Sequence, residues 1–564
     1  MIKLLPKTNK YTPKLFVFGA AAAPTWRMLE GITGVKKCPT GIVLPLNARL
    51  CELVYWTTKS PLDPGVQAWY KETIAEENRK IQLLLREDAS LHHPNANRLW
   101  PFQRVSADFI VKTKRALLAS DMGVGKTATT IIAVEESTQN DKVLVICPNS
   151  LKTWWKKEKQ AWTAFPNQPI TIVETKTRRD ILSVYSDGWL IGNYAQVRAE
   201  AKSISQQSIY SGSKQFNINI LRERSLYFST EWDWLILDEA QTIRNRKTQI
   251  AYLTKQLKFK NCCLLTGTPF GNDPSELWSL LNFINPKKYT SFWRFFELYV
   301  DYDQDYWGTR HIKGVKRPKL LRRELAPRMI RKTKAEVMPF LPEKLYQTIP
   351  LELLPRQNKH YDDMAKKFYI ELSETKKLYA VNVISMITRL RQILSTPANF
   401  DLPDESVKLD AALDIILGTD NRIVIFTAFR KTVEALCKRL TKNKISHTKI
   451  WGGMTSEQVS QAEAELNAGE IKVLVATLQA GGVGLNLVGA NVAIFVDRHY
   501  NPEKQRQAED RLHRGGQTQK VHIINLYCSN TVDDMVEAIL SRKISMQTAV
   551  LGPAFLEDLK RRLK

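Results

Sequence analysis

Nine consecutive residues, Ala119-Ser-Asp-Met-Gly-Val-Gly-Lys-Thr127, set two glycines, a lysine and a threonine between the apolar run RALLAS and the helical run ATTIIAVEE. Gly123 and Gly125 let the backbone bend so that successive N–H groups converge beside a helix start, which suits a phosphate. Lys126 then reaches the outer phosphates of a nucleotide, and the Thr127 hydroxyl binds Mg²⁺. Asp121, Met122 and Ala128 complete the lining of this loop. The strict pattern asks for glycine at position 120, where this chain has Ser120.

About 110 residues further on stands Leu235-Ile-Leu-Asp-Glu-Ala-Gln241. An apolar run ending in adjacent carboxylates places Asp238 and Glu239 at the C-terminal end of a buried strand, where open α/β sheets bind their ligands. Asp238 is expected to hold Mg²⁺ through its water shell, and Glu239 to orient or deprotonate an attacking water. Alone, an Asp-Glu pair often marks a turn; behind a phosphate loop it predicts a nucleotide hydrolase site.

The elements that must position these groups follow from the pattern. Short apolar runs, RALLAS, KVLVICP, WDWLILDEA and NCCLLTGTP, then RIVIFTAF, IKVLVATLQA, ANVAIFVD and VHIINLY, alternate with helical stretches. Continuous apolar strands separated by helices predict parallel sheets covered on both faces. The fold class is therefore α/β, with two parallel-sheet domains. The expected boundaries are a small α+β unit at 1–57, a helical connector at 58–97, the first sheet domain at 98–285, a helical insertion at 286–410, the second sheet domain at 411–545 and a C-terminal helix at 546–564. Ser203 to Asn219 reads as a polar loop, and there are no internal repeats.

In order, the motifs are LWPFQ (Leu99 to Gln103), DMGVGKT, CPNSLKTWWKKE (Cys147 to Glu158), IGNY (Ile191 to Tyr194), DEAQ, LLTGTP (Leu264 to Pro269), MIRKTKAEVMPFLPEK (Met329 to Lys344), RLRQILSTP (Arg389 to Pro397), FTAFRKT (Phe426 to Thr432), ATLQAGGVGLNL (Ala476 to Leu487) and QAEDRLHRGGQ (Gln507 to Gln517). This series resembles the SNF2-type superfamily 2 motors, ATP-driven translocases on double-stranded DNA, over residues 98 to 545. The MIRKTK link separates that type from general helicases. Two departures stand out: Gln241 where the family more usually has histidine, and GGQ where an apolar residue usually precedes Gly-Gln.

The resemblance implies two RecA-like domains, ATP and Mg²⁺ as cofactors, and a role for each matched residue. Gln103 reads the adenine edge, since its amide offers both donor and acceptor. Arg511 and Arg514, from the second domain, meet the γ-phosphate as arginine fingers, so that domain closure is coupled to hydrolysis. Gln241, Gly482 and Gly484 sense the nucleotide at the interdomain cleft, and Thr266 to Thr268 couple the first domain. The DNA contacts implied are Lys152, Trp154, Trp155 and Lys156 in the first domain and Arg430, Lys431 and Asn486 in the second. Such contacts go mainly to phosphates and so give position, not sequence. A Trp-Trp pair at a helix start is as readily core packing. Arg310 to Lys334, with eleven Lys or Arg against Glu324 alone, reads as part of a double-strand clamp or as a solvated surface.

Composition agrees with a DNA partner. The chain has 564 residues, 43% hydrophobic and 25% charged, which excludes a disordered, collagenous or disulfide-stapled protein. Lys and Arg number 83 against 57 Asp and Glu, a formal +26 that favours a polyanion. Seven cysteines without a C-x-x-C pair suggest reduced thiols, and the eight histidines contain no H-E-x-x-H. Leu15 to Ala23 imitates a signal sequence, but Pro24 follows at once and a buried strand explains it as well. No run approaches the ~20 apolar residues of a membrane span. The expected location is the cytoplasm of a prokaryotic or virus-infected cell, or the nucleus of a eukaryotic one.

Residues 1–57 carry no catalytic motif. Their strand–helix–strand–helix order, with GVKKCPTGIVLPL and CELVYW, is similar to the substrate-recognition domains of annealing helicases of the HARP type, which would make Lys36, Lys37 and Arg49 junction-DNA contacts; a cap on the motor is the other reading. The leading expectation is an ATP-dependent duplex-DNA translocase that remodels branched DNA. The alternatives are a motor that strips proteins from DNA or serves a defence system, an RNA helicase, and a DNA-binding scaffold with a decayed ATPase. Protein partners are not legible.

Overall fold

The computed structural model describes residues 2–5, 14–18, 22–30, 32–137, 142–174, 181, 183, 185–206, 218–271, 273–306, 308–375, 380–481 and 485–551. The chain divides into two units, Met1–Thr333 with Ser545–Lys564, and Lys334–Ile544.

The first unit begins with β1 (Ile2–Leu5), β2 (Lys14–Phe18), β3 (Lys36–Cys38) and β4 (Gly41–Pro45), an antiparallel sheet in the order β1-β2-β4-β3. Helices Ala22–Leu29 and Ala48–Thr58 accompany it. The Asn47 side chain caps the second helix, accepting from Arg49 N at 2.9 Å and Leu50 N at 3.2 Å, which satisfies two N–H groups that the helix cannot. Asp63 and Pro64 then start the connector helix Pro64–Leu84.

The main sheet of this unit has seven strands: β5 (Arg115–Leu118), β6 (Val143–Cys147), β7 (Ile170–Ile172), β8 (Trp189–Asn193), β9 (Glu231–Asp238), β10 (Lys258–Leu265) and, after the antiparallel hairpin β11 (Val300–Gln304) and β12 (Arg310–Val315), β13 (Met329–Ile330). Their order is β13-β5-β10-β9-β6-β8-β7, and every pair is parallel. All five residues of β6 and of β8 are buried, as covered faces require. The C-terminal ends of β5, β9 and β10 therefore lie side by side, and that edge holds the site.

The second unit has β14 (Lys344–Leu351), β15 (Ile423–Thr427), β16 (His447–Ile450), β17 (Val473–Thr477), β18 (Val492–Phe495) and β19 (Val521–Cys528) in the order β14-β19-β18-β15-β17-β16, again all parallel. Alternate residues face opposite sides. Val424, Phe426, Leu474 and Phe495 enter one core cluster, while Ile423, Ile425, Val473 and Ile494 enter another.

Some expectations need correction. The stretch 286–410 is not wholly helical, since it holds the hairpin, β13 and β14. In β14 (KLYQTIPL) polar residues interrupt the apolar run and most side chains are half-buried or exposed, so the segment lacks the signature of a covered strand. The polar loop at 203–219 is helical at both described ends, in Tyr194–Gln206 and Ile218–Arg224, and its middle falls outside the described residues. Of the helix at 546–564, the described part is the end of Val532–Leu551. No helix among the described residues is long and apolar enough to cross a membrane.

Candidate functional site

The loop between β5 and the helix Lys126–Ser137 turns at Gly123 (φ 78°) and Gly125 (φ 79°), both in the region that side chains avoid. A Cβ on Gly125 would sit 2.2 Å from Gln103 Nε2, so only glycine fits beneath that amide. Gln103 donates to Val124 O at 3.0 Å and accepts from Trp100 N at 2.9 Å, which uses one of its two N–H groups. Lys126 Nζ donates to Ser120 O and Asp121 O, both at 2.9 Å, so the ammonium lies folded over the loop. Thr127 is half-buried and Ala128 buried in the first helical turn. Met122 Cγ comes within 3.3 Å of where a Cβ on Gly267 would be, placing Met122 against the TGT segment after β10.

Asp238 ends β9 beside this loop. Its Oδ2 accepts from Trp155 Nε1 at 2.8 Å, its Oδ1 from Glu239 N at 2.9 Å, and its carbonyl from Tyr194 OH at 2.8 Å. Burial, then the Glu239 carboxylate, push the Asp238 carboxyl up to about 6, against the pull of the Trp155 N–H and of Lys126. Glu239 sits at φ 51°, ψ 51°, a left-handed backbone in a non-glycine residue, which turns its side chain out of the strand direction. Its carboxylate accepts from Gln241 Nε2; Gln241 Oε1 accepts from Thr266 Oγ1 at 2.8 Å; and Thr266 Oγ1 accepts from Thr268 N at 3.0 Å.

The residues fit a nucleotide triphosphate with a divalent cation on two counts. The glycine loop is held open under Gln103, and two adjacent carboxylates raise one another's cost in a buried position that a cation relieves.

In the second unit, Arg511 lies near the end of the helix Pro502–Leu512 and Arg514 just beyond it. The helix is fastened by Lys344 to Glu509 at 3.2 Å and to Asp510 at 3.0 Å, and by Lys334 to Asp510 at 2.9 Å. Both arginines are half-buried, and Arg514 donates to Leu485 O at 3.4 Å. Burial raises the Glu463 carboxyl while Arg514 and Arg511 pull it back, so that carboxylate stands within electrostatic reach of both. Gly482 and Gly484 fall outside the described residues.

Residues 69–399 match the family description "SNF2-related domain" and residues 407–516 match "Helicase conserved C-terminal domain". The first match alone covers more than half of the chain. The chain belongs to the SNF2-related family. It is 28% identical to an uncharacterized ATP-dependent helicase of Mycoplasma genitalium, over 83% of this chain and 44% of that protein. It is 26% identical to the ISWI chromatin-remodeling complex ATPase ISW1 of Saccharomyces cerevisiae, over 80% of this chain and 40% of that one. The chain thus spans less than half the length of these curated relatives. A solved Sulfolobus solfataricus SWI2/SNF2 ATPase core in complex with dsDNA is 22% identical, with 85% of this chain and 97% of that chain covered, at a TM-score of 0.37. The fold described above stands without that likeness.

Several expected contacts of this SNF2-related chain are placed elsewhere by the structure. Lys152 is turned inward, 8% exposed, with Nζ on Val173 O at 2.8 Å, and so presents no cation to a phosphate. Trp155 is fully buried on Asp238, whereas Trp154 is 48% exposed, so the Trp-Trp pair divides between core and surface. Lys156 is half-buried on the same helix, Lys152–Trp162. Arg430 and Lys431 are exposed: Arg430 pairs with Glu434 at 3.2 Å and stacks 4.5 Å from the Trp451 ring, and Lys431 pairs with Asp401 at 2.7 Å. Asn486 is half-buried, its carbonyl accepting from Asn467 at 2.7 Å.

Arg49 is not a DNA contact. It is wholly buried, with its guanidinium on Glu52 at 2.7 Å, Glu324 at 3.1 Å and Glu77. Lys36 and Lys37 remain exposed. The basic stretch 310–334 is largely spent on internal partners. Arg310 packs 4.5 Å from the Trp293 ring, Lys313 pairs with Asp303 at 2.5 Å, Arg317 donates to Leu298 O at 2.8 Å, and Arg322 and Lys334 are buried.

Arg331 escaped the sequence reading. It donates to Ala119 O at 2.9 Å and pairs with Asp121 at 3.1 Å, while Lys332 N donates to Ser120 Oγ at 3.1 Å. That accounts for serine at position 120: its hydroxyl ties the phosphate loop to the strand β13. The MIRKTK motif carried the signal, but its contact to the loop depends on a register that sequence does not specify.

Proposed function

We propose that the chain is a DNA-dependent ATPase that translocates on duplex DNA and remodels branched or partly unpaired DNA. The observation that carries the reading is the meeting of Lys126 with Asp238 and Glu239 at one sheet edge, in a chain of this family. Gln103 faces the base and the loop 121–128 holds the phosphates through its N–H groups and Lys126. Thr127 and Asp238 hold Mg²⁺, which when bound offsets the phosphate charge. Glu239 orients the attacking water and takes its proton. Arg511 and Arg514 supply positive charge to the γ-phosphate, and Gln241 with Thr266 reports the state of Glu239 to the TGT segment.

For DNA, the reading uses Trp154 and Lys156 in the first unit and Arg430, Lys431 and Asn486 in the second. Contacts of this kind are salt-sensitive and indifferent to sequence. Lys36 and Lys37 on the exposed strand β3 favour a DNA role for the N-terminal sheet.

The test is steady-state ATP hydrolysis without nucleic acid and with single strands, linear duplex, a fork, a four-way junction and RNA. Strong stimulation by duplex, with more by the branched forms, is expected. Equal stimulation by linear and branched duplex moves the role toward stripping proteins from DNA. No turnover with any DNA leaves a binding scaffold and overturns the enzyme reading.

A further inference from the structure

The helix Lys152–Trp162 has two faces with different tasks. Residues 152, 155 and 159 point inward, and Thr153, Trp154, Lys157 and Gln160 point outward, the spacing of a helix lying on a sheet domain. Three inward contacts fix it. Lys152 donates to Val173 O at 2.8 Å; Lys159 is bound to Glu135 and, at 2.8 Å, to Thr163 Oγ1; and Trp155 donates to Asp238 Oδ2 at 2.8 Å. Only the last reaches the hydrolytic site.

A second route arrives at the same residue. Tyr194, at the end of β8 and 8% exposed, donates its hydroxyl to Asp238 O at 2.8 Å. Its neighbours form a closed amide network. Asn193 Nδ2 donates to Asn149 Oδ1 at 2.9 Å, Gln196 N donates to Asn193 Oδ1 at 2.9 Å, and Gln196 Nε2 donates to Val173 O at 2.7 Å, the carbonyl that Lys152 also uses. This network lines a cleft of about 350 Å³ walled by Cys147, Asn149, Asn193, Tyr194 and Gln196.

We infer that Trp155 and Tyr194 are positioning residues for Asp238, joining the cleft and the outward helix face to the carboxylate that holds the metal. Trp155 fixes the carboxylate's rotation and Tyr194 fixes the backbone beneath it. A DNA strand that shifts either segment thereby shifts Asp238. The inference rests on the function proposed above, because it takes Asp238 as a Mg²⁺ ligand and DNA as the occupant of that face.

Two conservative variants remove one donor each: Trp155→Phe takes away the indole N–H, and Tyr194→Phe only the hydroxyl. The first readout is binding of a fluorescent ADP titrated with Mg²⁺, with no turnover required. Each variant is expected to raise the half-saturating Mg²⁺ concentration by roughly three- to tenfold, the scale of one lost hydrogen bond to a charged or polarised acceptor. Affinity for a labelled linear duplex, read by anisotropy, stays the same. The second readout is the factor by which that duplex stimulates hydrolysis, expected to fall several-fold in both variants. An unchanged Mg²⁺ dependence in a folded Tyr194→Phe and a folded Trp155→Phe overturns the positioning role. A shifted Mg²⁺ dependence with full duplex stimulation overturns the coupling. If the parent protein itself shows no stimulation by duplex, the proposed function fails, and the Mg²⁺ titration still decides whether the two aromatics position Asp238.

Discussion

Thr266 Oγ1 donates to Gln241 Oε1 at 2.8 Å, and the same glutamine donates from its other end to Glu239. One side chain thus ties the carboxylate proposed to activate water to the segment that follows β10. An amide does this because it carries a donor and an acceptor at fixed separation. Gln241→Ala and Thr266→Val are each expected to lower kcat about tenfold or more. Because both cut one chain of contacts, the double variant should lose less than the product of the two, a coupling of about 0.5–3 kcal/mol in a double-mutant cycle. Gln241→His should keep most activity, since imidazole also offers one donor and one acceptor. Full additivity would separate the two residues.

Lys126→Ala is expected to reduce ATP hydrolysis about a hundredfold or more while duplex affinity stays within twofold. Hydrolysis and electrophoretic mobility or anisotropy, on the same preparation, make the comparison. Loss of both together would point to misfolding of the loop instead.

Lys152 and Lys156 are four residues apart on one helix, yet only Lys156 reaches solvent. Lys156→Ala should weaken duplex binding and reduce the slope of log affinity against log salt by about one. Lys152→Met should leave that slope unchanged and lower thermal stability, because the Val173 carbonyl loses a partner. A reduced slope for Lys152→Met would restore it as a phosphate contact.

Arg49 is balanced by Glu52, Glu77 and Glu324, with Lys288 also 3.1 Å from Glu324. Arg49→Leu leaves buried carboxylates without their cation, and a loss of about 3–5 kcal/mol is expected, seen as a lower unfolding midpoint. Junction binding by the protein that remains folded should be unaffected, whereas Lys36→Ala with Lys37→Ala should weaken it. The opposite ranking would return Arg49 to the DNA surface.

His499 sets a pH dependence of stability. Burial, with Arg391, Lys504 and Lys543 nearby, lowers its pKa from 6.5 to about 4, and its Nδ1 accepts from Asn501 N at 3.0 Å as a neutral ring must. The folded form therefore resists a proton that the unfolded chain accepts, so this contribution is intact above about pH 6.5 and is lost as pH falls from there toward 4. The slope is at most about 1.4 kcal/mol per pH unit, and less because the ring is partly exposed. Unfolding midpoints between pH 7 and 4.5 should fall more steeply for the parent than for His499→Asn, and parallel curves would assign the slope to other groups.

Much of the hydrolytic site was legible because its signals are local. A glycine pair before Lys-Thr and an apolar run before Asp-Glu state both the residue types and the secondary structure that presents them. In a parallel sheet the strand ends then bring Lys126 and Asp238 to one edge. The same local logic gave the covered strands β6, β9, β15 and β17, each an unbroken apolar run.

What sequence left open was decided by which way a side chain faces and what meets it. Lys152 and Arg49 are cations like any other in the chain, but helix phase turned one toward a carbonyl, and three glutamates distant in sequence enclosed the other. Trp154 and Trp155 are chemically identical neighbours, separated only by the ~100° turn between successive helical residues. The role of Ser120 required β13 to pair beside β5 in one register, and the meeting of Trp155 and Tyr194 on Asp238 required three strand ends to converge. Such contacts join residues tens to hundreds of positions apart, and a side chain's type alone does not specify its distant partner; packing does.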